Sequence, residues 1–351
     1  MLPTDAVRFR RGEVSIEMLS NGYMLLVYAN HCRQSVGKNG RILNGDNARA
    51  NIFGQLLSSD GTAVGEEFRI ISCPEDIMNV MSPAVRRLRD RSLGMAYSWR
   101  KTTAEARRMW IRSWDEGKTW SDPVVIGEGG YVTGCHDRLL VMKSGRILAP
   151  LHVSDDWDKH YLHVEVAYSD DLGVSWKRSN KIELPSVSWP DGRSFTESGC
   201  IEPGVCELPD GRIIVILRTG MGSIFYAVSY DSGTTFSEPH NLEVVSPCAP
   251  SYITTLDNGR VLLVWNDEYC PTQPLGGGRH RLTLCTSSFE LSFPKEHRLC
   301  LIQDNEHIID YPCVKVLTDE IWVLFRYHEK EQLGGSIASY LMKIPMRDIC
   351  E

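Results

Sequence analysis

The sequence predicts an all-β chain: a six-bladed β-propeller of four-stranded antiparallel blades. Three observations predict it. An octapeptide of the form S-x-D-x-G-x-(S/T)-(W/F) occurs at Ser113–Trp120, Ser169–Trp176 and Ser229–Phe236, at intervals of 56 and 60 residues. A second unit is a strand that ends in L-x-(D/N/S)-G-(R/Y) and runs at once into an apolar strand. It reads Leu19–Tyr23, Val141–Arg146, Leu208–Arg212 and Leu256–Arg260, with weaker copies at Leu88–Arg91 and Leu317–Glu320, six in all. Third, no stretch sustains a helical period.

The octapeptide has the chemistry of a self-contained hairpin turn. Its Asp can accept hydrogen bonds from turn amides, its Gly can take a positive φ, and its aromatic ring packs under the turn. That role is structural and makes no catalytic site. A period near 58 residues divides the 351 residues into six, which favours one closed toroid and a single domain over 1–351. The blades are expected at about 12–72, 73–130, 131–187, 195–245, 246–305 and 306–345, with Val7–Arg10 as a closing strand. Each L-x-x-G hairpin is followed by an outer pair of strands. The pairs after Leu19, Leu256 and Leu317 have lost the octapeptide, and Ser58–Gly61 and Ser287–Glu290 look like eroded remnants. Ile213–Leu217 and Val261–Trp265 are apolar on both faces, as strands stacked between neighbouring blades should be.

Composition excludes some function classes. With 38 basic and 45 acidic residues the net charge is −7, so neither nucleic acid nor an anionic membrane surface is an expected partner. No apolar run approaches the roughly 20 residues of a bilayer span, and Met1–Arg11 lacks the apolar segment of a secretory signal. Eleven cysteines is an odd number, and most lie in apolar runs, as Cys206, Cys285 and Cys313 do, where free thiols act as small hydrophobes. Reduced thiols fit a soluble, cytoplasmic protein; a signal peptide removed beforehand would instead place it outside the cell or in the periplasm. No cofactor and no metal are expected, and the oligomeric state is open.

Residues equidistant from a hairpin turn face each other at its open end. Counting outward pairs Glu202 with Arg218, His136 with His152, Pro250 with Asn266, and Tyr311 with Arg326. The open ends should form one rim, rich in polar groups: Glu17, His136, Asp137, His152, Glu202, Arg218, Asn266, Asp267, Glu268, Tyr311 and Arg326. A cluster of titratable groups at the concave end of a propeller is a candidate ligand site, and a funnel of mutually satisfied ion pairs is the competing reading.

The octapeptide resembles the Asp-box of the sialidase superfamily, whose members are β-propellers. Gly199–Pro203 to Leu217–Thr219 is similar to the sialidase segment in which a buried Glu begins one strand and a carboxylate-binding Arg ends the next, places taken by Glu202 and Arg218. Arg279–Leu284 resembles the strand carrying another arginine of the family's triad. Asp310–Pro312 with Phe325–Glu329 resembles the segment of the nucleophilic tyrosine, here Tyr311. Asp46 takes roughly the place of the acid/base aspartate. The family's first blade opens with Arg-Ile-Pro, where this chain reads Ser15-Ile16-Glu17, so the first triad arginine is missing.

The resemblance implies an exo-acting, retaining glycoside hydrolase for a sialic acid or related acidic sugar. The anomeric carbon of a 2-keto sugar acid carries a carboxylate that would repel an anionic nucleophile, and a tyrosine activated by Glu202 avoids this. Arg218 and Arg279 would hold the carboxylate, with Glu17, His136, Asp137, His152 and Arg326 as further substrate contacts, and Asp46 or Asp137 would protonate the leaving oxygen. Each has a plainer alternative: Tyr311 as a strand cap, Glu202 with Arg218 as a structural pair, Arg279 solvated, Asp46 a turn residue. His136 and His152 suggest a metal pair, but no third ligand stands at recognisable spacing. Trp99, Trp157 and Trp189 could stack on sugar faces, whereas Trp120 and Trp176 belong to the core. Two other functions remain open, a Glu17/Glu202 carboxylate pair acting on a neutral or uronic-acid glycan, and a glycan-binding propeller without catalysis.

Overall fold

Short apolar runs separated by glycine turns fold here into successive antiparallel meanders. The computed structural model describes residues 2, 4, 9–36, 42–187, 198–273, 277–288, 290–330 and 336–349. The first sheet joins Arg10–Met18, Met24–His31, Ala50–Leu57 and Ala63–Ile71 in sequence order. Two later sheets repeat that order: Ile201–Glu207, Ile213–Arg218, Ser223–Ser229 and His240–Val245, then Tyr252–Thr255, Val261–Trp265, Arg281–Ser287 and Leu299–Gln303.

Two sheets depart from the expected pattern. The meander Asn79–Arg87, Leu93–Arg100, Ala106–Ser113 continues into Ile147–Ser154 and Tyr161–Ser169, because Tyr131–Thr133 pairs with both neighbours and fuses the second and third repeats into one ten-stranded sheet. The last sheet has three strands, His307–Val316, Glu320–Glu329 and Ala338–Pro345. The chain start leans on its edge: Leu2 bridges Ser339 and Arg10 bridges Ile337. Arg10 itself begins the first inner strand, and Val7 and Arg8 of the expected closing strand lie outside the described residues.

The inner strands pack on one another in a cycle. Arg10–Met18 lies on Asn79–Arg87; Leu140–Val141 touches both Asn79–Arg87 and Ile201–Glu207; Ile201–Glu207 lies on Tyr252–Thr255, that on His307–Val316, and that on Arg10–Met18. Apolar side chains fill the wedges between sheets, and the fully buried Trp110, Trp265 and Trp322 anchor three of them. Each buries an area worth about 4–6 kcal/mol of transfer free energy.

The three octapeptide turns also join neighbouring repeats. In the first, Ser113 Oγ accepts from the Gly117 amide at 2.8 Å, Asp115 Oδ1 accepts from the Thr119 amide at 2.8 Å, and Trp120 Nε1 donates to the Gly117 carbonyl at 3.0 Å. The other two copies repeat the Ser and Asp bonds. Gly117, Gly173 and Gly233 take φ of 84°, 87° and 83°. A Cβ there would meet Leu25, Trp110 and Leu148 respectively, each on the preceding repeat, at 2.9, 2.0 and 2.9 Å. Glycine is thus required for conformation and for close approach at once.

Where the inner strands converge, charged groups stitch the sheets together. Asp137 Oδ1 accepts from Arg86 Nη1 and from Ser15 Oγ, both at 2.6 Å. Arg138 donates to the carbonyls of Ser251 at 3.2 Å and Pro312 at 2.9 Å. Part of the polar richness of the rim is therefore structural, and Asp137, 1% exposed and paired with Arg86, belongs to it.

Candidate active site

One local device positions the site. Glu13, Ser82, Glu202 and Tyr311 have φ of 56°, 53°, 42° and 56°. At each, the strand ladder skips, between Gly12 and Ser15, Met81 and Ala84, Ile201 and Gly204, and Asp310 and Cys313. These are bulges, and in three of them the next residue is Pro83, Pro203 or Pro312, which has no amide to leave unpaired. The bulge re-aims one side chain per strand toward the convergence of the sheets. All four line one cavity of about 300 Å³ with Asp46, His152, Tyr131 and Trp157.

The bulges also correct the expected pairings. Arg218 lies opposite Ile201 rather than Glu202, and Arg326 opposite Asp310 rather than Tyr311, because the extra residue shifts the count by one. His152 pairs with Thr133, and His136 falls in a loop rather than opposite it.

In the cavity wall the Tyr311 hydroxyl donates to Glu202 Oε1 at 2.7 Å; Arg218, Arg279, Arg326 and His136 stand behind that wall rather than among the lining residues. Arg218 pairs with Glu202 Oε2 and lies 3.3 Å from the same hydroxyl. Burial opposes charge on Glu202, but Arg218, His152 and the Tyr311 hydrogen bond outweigh it and hold its carboxyl below the usual range. Burial and the Glu202 charge push the phenol well above its ordinary value. A neutral phenol therefore faces an ionised carboxylate that accepts its hydrogen bond.

Cations surround the phenol. Arg326 lies over its ring at 3.5 Å and grips Asp310 with two bonds of 2.8 and 3.0 Å. Asp310 also holds Arg279 Nη1 at 2.9 Å. The His136 ring stacks on Tyr311 at 5.4 Å; burial, with the Arg138 and Arg326 charges, keeps it neutral. His152 lines the wall beside Thr133, its pKa lowered to about 4 by burial.

Asp46 sits at the mouth on the turn Gly45–Asn47, whose backbone is fixed by Asn79 and Arg100, both donating to the Asp46 carbonyl, at 2.7 and 2.8 Å. Its carboxylate is ion-paired with Arg10. Desolvation works against its charge, yet Arg10, His31 and Arg326 hold it well below the usual carboxylate range.

Glu17 is not part of the site. It pairs with Lys315 and accepts from the Arg87 amide at 3.2 Å, outside the cavity, so it cannot form a carboxylate pair with Glu202 there. Gly12-Glu13-Val14 holds the place that Asp310-Tyr311-Pro312 holds in the last sheet, since Glu13 and Tyr311 share the bulge conformation and precede Leu19 and Leu317 by the same count. No arginine occurs there. Instead the Arg326 chain crosses Gly12, where a Cβ would come within 2.9 Å of its Cδ. Asp137, paired with Arg86, is likewise not among the residues lining the cavity.

Among the remaining candidates, Asn266 is buried and donates to the carbonyls of Arg281 and Ile309, while Asp267 and Glu268 pair with Arg281 and His280. Trp157 packs 4.3 Å from Tyr131 on the cavity wall. Trp99 instead lies in an outer groove beside Arg107, and Trp189 falls outside the described residues. Among the described residues no group of three or more His, Cys, Asp or Glu could hold a metal. Counting missed Glu13 and Ser82, although their distance from the turn leucine and Pro83 mark them in the sequence.

Comparison with known proteins bears on the whole fold. A family model described as a BNR repeat-like domain matches residues 57–322. An anhydrosialidase from Macrobdella decora is 28% identical over 156 residues, 40% of this chain and 18% of that protein. A sialidase from Bacteroides fragilis (strain YCH46) is 25% identical over 224 residues, 60% of this chain and 37% of that protein. The matches thus span well under half the length of either relative. Among solved structures, a protein of unknown function from Dyadobacter fermentans DSM 18053 is similar at a TM-score of 0.72 and 20% identity, covering 98% of this chain and 97% of the other. The NanB sialidase of Streptococcus pneumoniae is similar at a TM-score of 0.73 and 13% identity, covering 99% and 70%. The all-β architecture is thus sialidase-like, and with three quarters of its length matched the chain belongs to the family of BNR repeat-like domains.

Proposed function

We propose that the chain is a retaining, exo-acting glycoside hydrolase that removes a terminal sialic acid or a related 2-keto sugar acid, within a single six-bladed β-propeller domain. The cycle of inner strands supports the propeller. The observation that carries the activity is the Tyr311 hydroxyl donating to Glu202 at 2.7 Å with Arg218, Arg279 and Arg326 gathered around it.

Glu202 withdraws the phenolic proton as Tyr311 Oη attacks the anomeric carbon. The raised phenol pKa keeps the nucleophile neutral until then, so the substrate carboxylate is not repelled. Arg218 and Arg279 receive that carboxylate by forked hydrogen bonds. Asp310, bonded to both Arg279 and Arg326, orients these two guanidinium groups. Tyr131 and Trp157 offer an aromatic wall to the sugar or its aglycone.

Turnover of an aryl sialoside is the test. Tyr311→Phe and Glu202→Gln should each lower kcat/KM by about 10² or more. A wild-type protein inert toward every 2-keto acid glycoside tried, yet binding them, would make the chain a glycan-binding module instead.

A further inference from the structure

Resting on that hydrolase reading, we infer that Glu13 is the proton donor to the leaving oxygen. Its side chain comes from the first inner strand, turned inward by the same bulge that presents Glu202 and Tyr311, and it lines the same cavity. It is 7% exposed, and its Oε2 accepts from Ser82 Oγ at 2.7 Å, which leaves its other oxygen to carry a proton. Asp46, the other carboxyl at the mouth, is locked to Arg10 as an anion.

The charges facing Glu13 come from every neighbouring element. Burial and the Asp46 carboxylate raise its pKa to about 7, with Glu202 adding to them, while Ser82 and Arg326 partly oppose. The buried Arg108, which donates to the Ser82 carbonyl at 2.7 Å, and the Cys135 thiol complete the surroundings. Near neutrality Glu13 is thus present in both protonation states, as an acid that must later act as a base requires.

In the first step the Glu13 proton passes to the glycosidic oxygen as its bond to the anomeric carbon breaks; the Tyr311 Oη–carbon bond forms and the phenolic proton goes to Glu202. In the second, Glu13 takes a proton from water as the water oxygen attacks the anomeric carbon, the Tyr311 bond breaks, and Glu202 returns its proton to the phenol. Both carboxyl groups end as they began.

Leaving-group dependence tests this with wild type, Glu13→Gln and Asp46→Asn on nitrophenyl, phenyl and alkyl sialosides. A good leaving group needs no proton, so Glu13→Gln should lose no more than about tenfold on the nitrophenyl substrate and about 10² to 10⁴ on the alkyl one, and the basic limb of the kcat/KM–pH profile near pH 7 should vanish. A uniform loss across the series, or a leaving-group dependence in Asp46→Asn instead, overturns the assignment while leaving the hydrolase reading intact. If Glu13→Gln is inert throughout, Glu13→Asp decides: leaving-group dependence there supports the assignment and its absence overturns it. A wild type inert on the whole series removes the hydrolase reading and the proton donor with it.

Discussion

Replacing Glu13 by Gln should change how stability depends on pH, whether or not any sugar is bound. The carboxyl releases its proton near 4.5 in the unfolded chain and at about 7 in the folded one. Between those values the folded state binds more protons at this carboxyl than the unfolded state, so its contribution to stability is greatest below pH 4.5 and is lost as pH rises through 7. The separation corresponds to about 3 kcal/mol, an order-of-magnitude figure. Four histidines act in the opposite sense, among them His136, which burial holds well below its ordinary value. His31, His152 and His328 are lowered by burial to about 3, 4 and 4, so the unfolded chain takes up their protons first and stability rises toward 6.5. They are common to both proteins and cancel when the two are subtracted. Urea unfolding of wild type and Glu13→Gln between pH 4.5 and 8 should therefore show the variant gaining about 3 kcal/mol relative to wild type across the range. A difference constant to within about 0.5 kcal/mol would mean that Glu13 titrates like an exposed carboxyl, and the case for a buried acid would fail.

Other substitutions probe the framework. Asp310→Asn leaves Arg326 and Arg279 without their shared carboxylate and should cost about 3–5 kcal/mol by chemical denaturation; a loss under about 1 kcal/mol would show the arginines to be held by other groups. Gly173→Ala and Gly22→Ala compare two left-handed glycines, φ 87° and 85°, of which only the first would bring its new Cβ against Trp110. The Gly22 change should cost about 1 kcal/mol and the Gly173 change at least about 2 kcal/mol more in unfolding free energy, and equal costs would deny the octapeptide its role in joining repeats.

One structural device serves both framework and site. A bulge in an inner strand breaks the ladder where the sheets crowd together, and a left-handed residue there costs free energy that regular backbone would not. The same break carries Glu13, Ser82, Glu202 and Tyr311 into one cavity, while Arg138 and Arg86 pin the adjoining backbone through Pro312 and Asp137. Strain of this kind persists only where the surroundings over-determine it, and here the buried arginines supply that constraint.

The extent to which the sequence discloses the site follows from the same bulges. The octapeptide turns are legible because the Ser and Asp hydrogen bonds that build them are local, as the contacts of Ser113, Asp115 and Gly117 show. Glu202 and Tyr311 are legible because each stands six residues before a turn leucine, Leu208 or Leu317, and directly before a proline, and Arg218 because it ends the strand that follows the Leu208 turn. Counting residues outward from a turn, however, assumes an unbroken ladder. Where a strand holds two residues against one, the count slips by one, so it sets Glu202 and Tyr311 opposite Arg218 and Arg326 where Ile201 and Asp310 stand. Glu17 and Asp137 illustrate a second limit. Both are acidic residues near apolar strands, as a catalytic carboxylate would be, yet Lys315 and Arg86 reach them from strands 298 and 51 residues away. Nothing local announces such a partner. The offset shared by Glu13, Ser82, Glu202 and Tyr311 does not depend on distant partners, so aligning the repeats on their turn leucines, rather than pairing strands across each turn, isolates the residues that face the cavity.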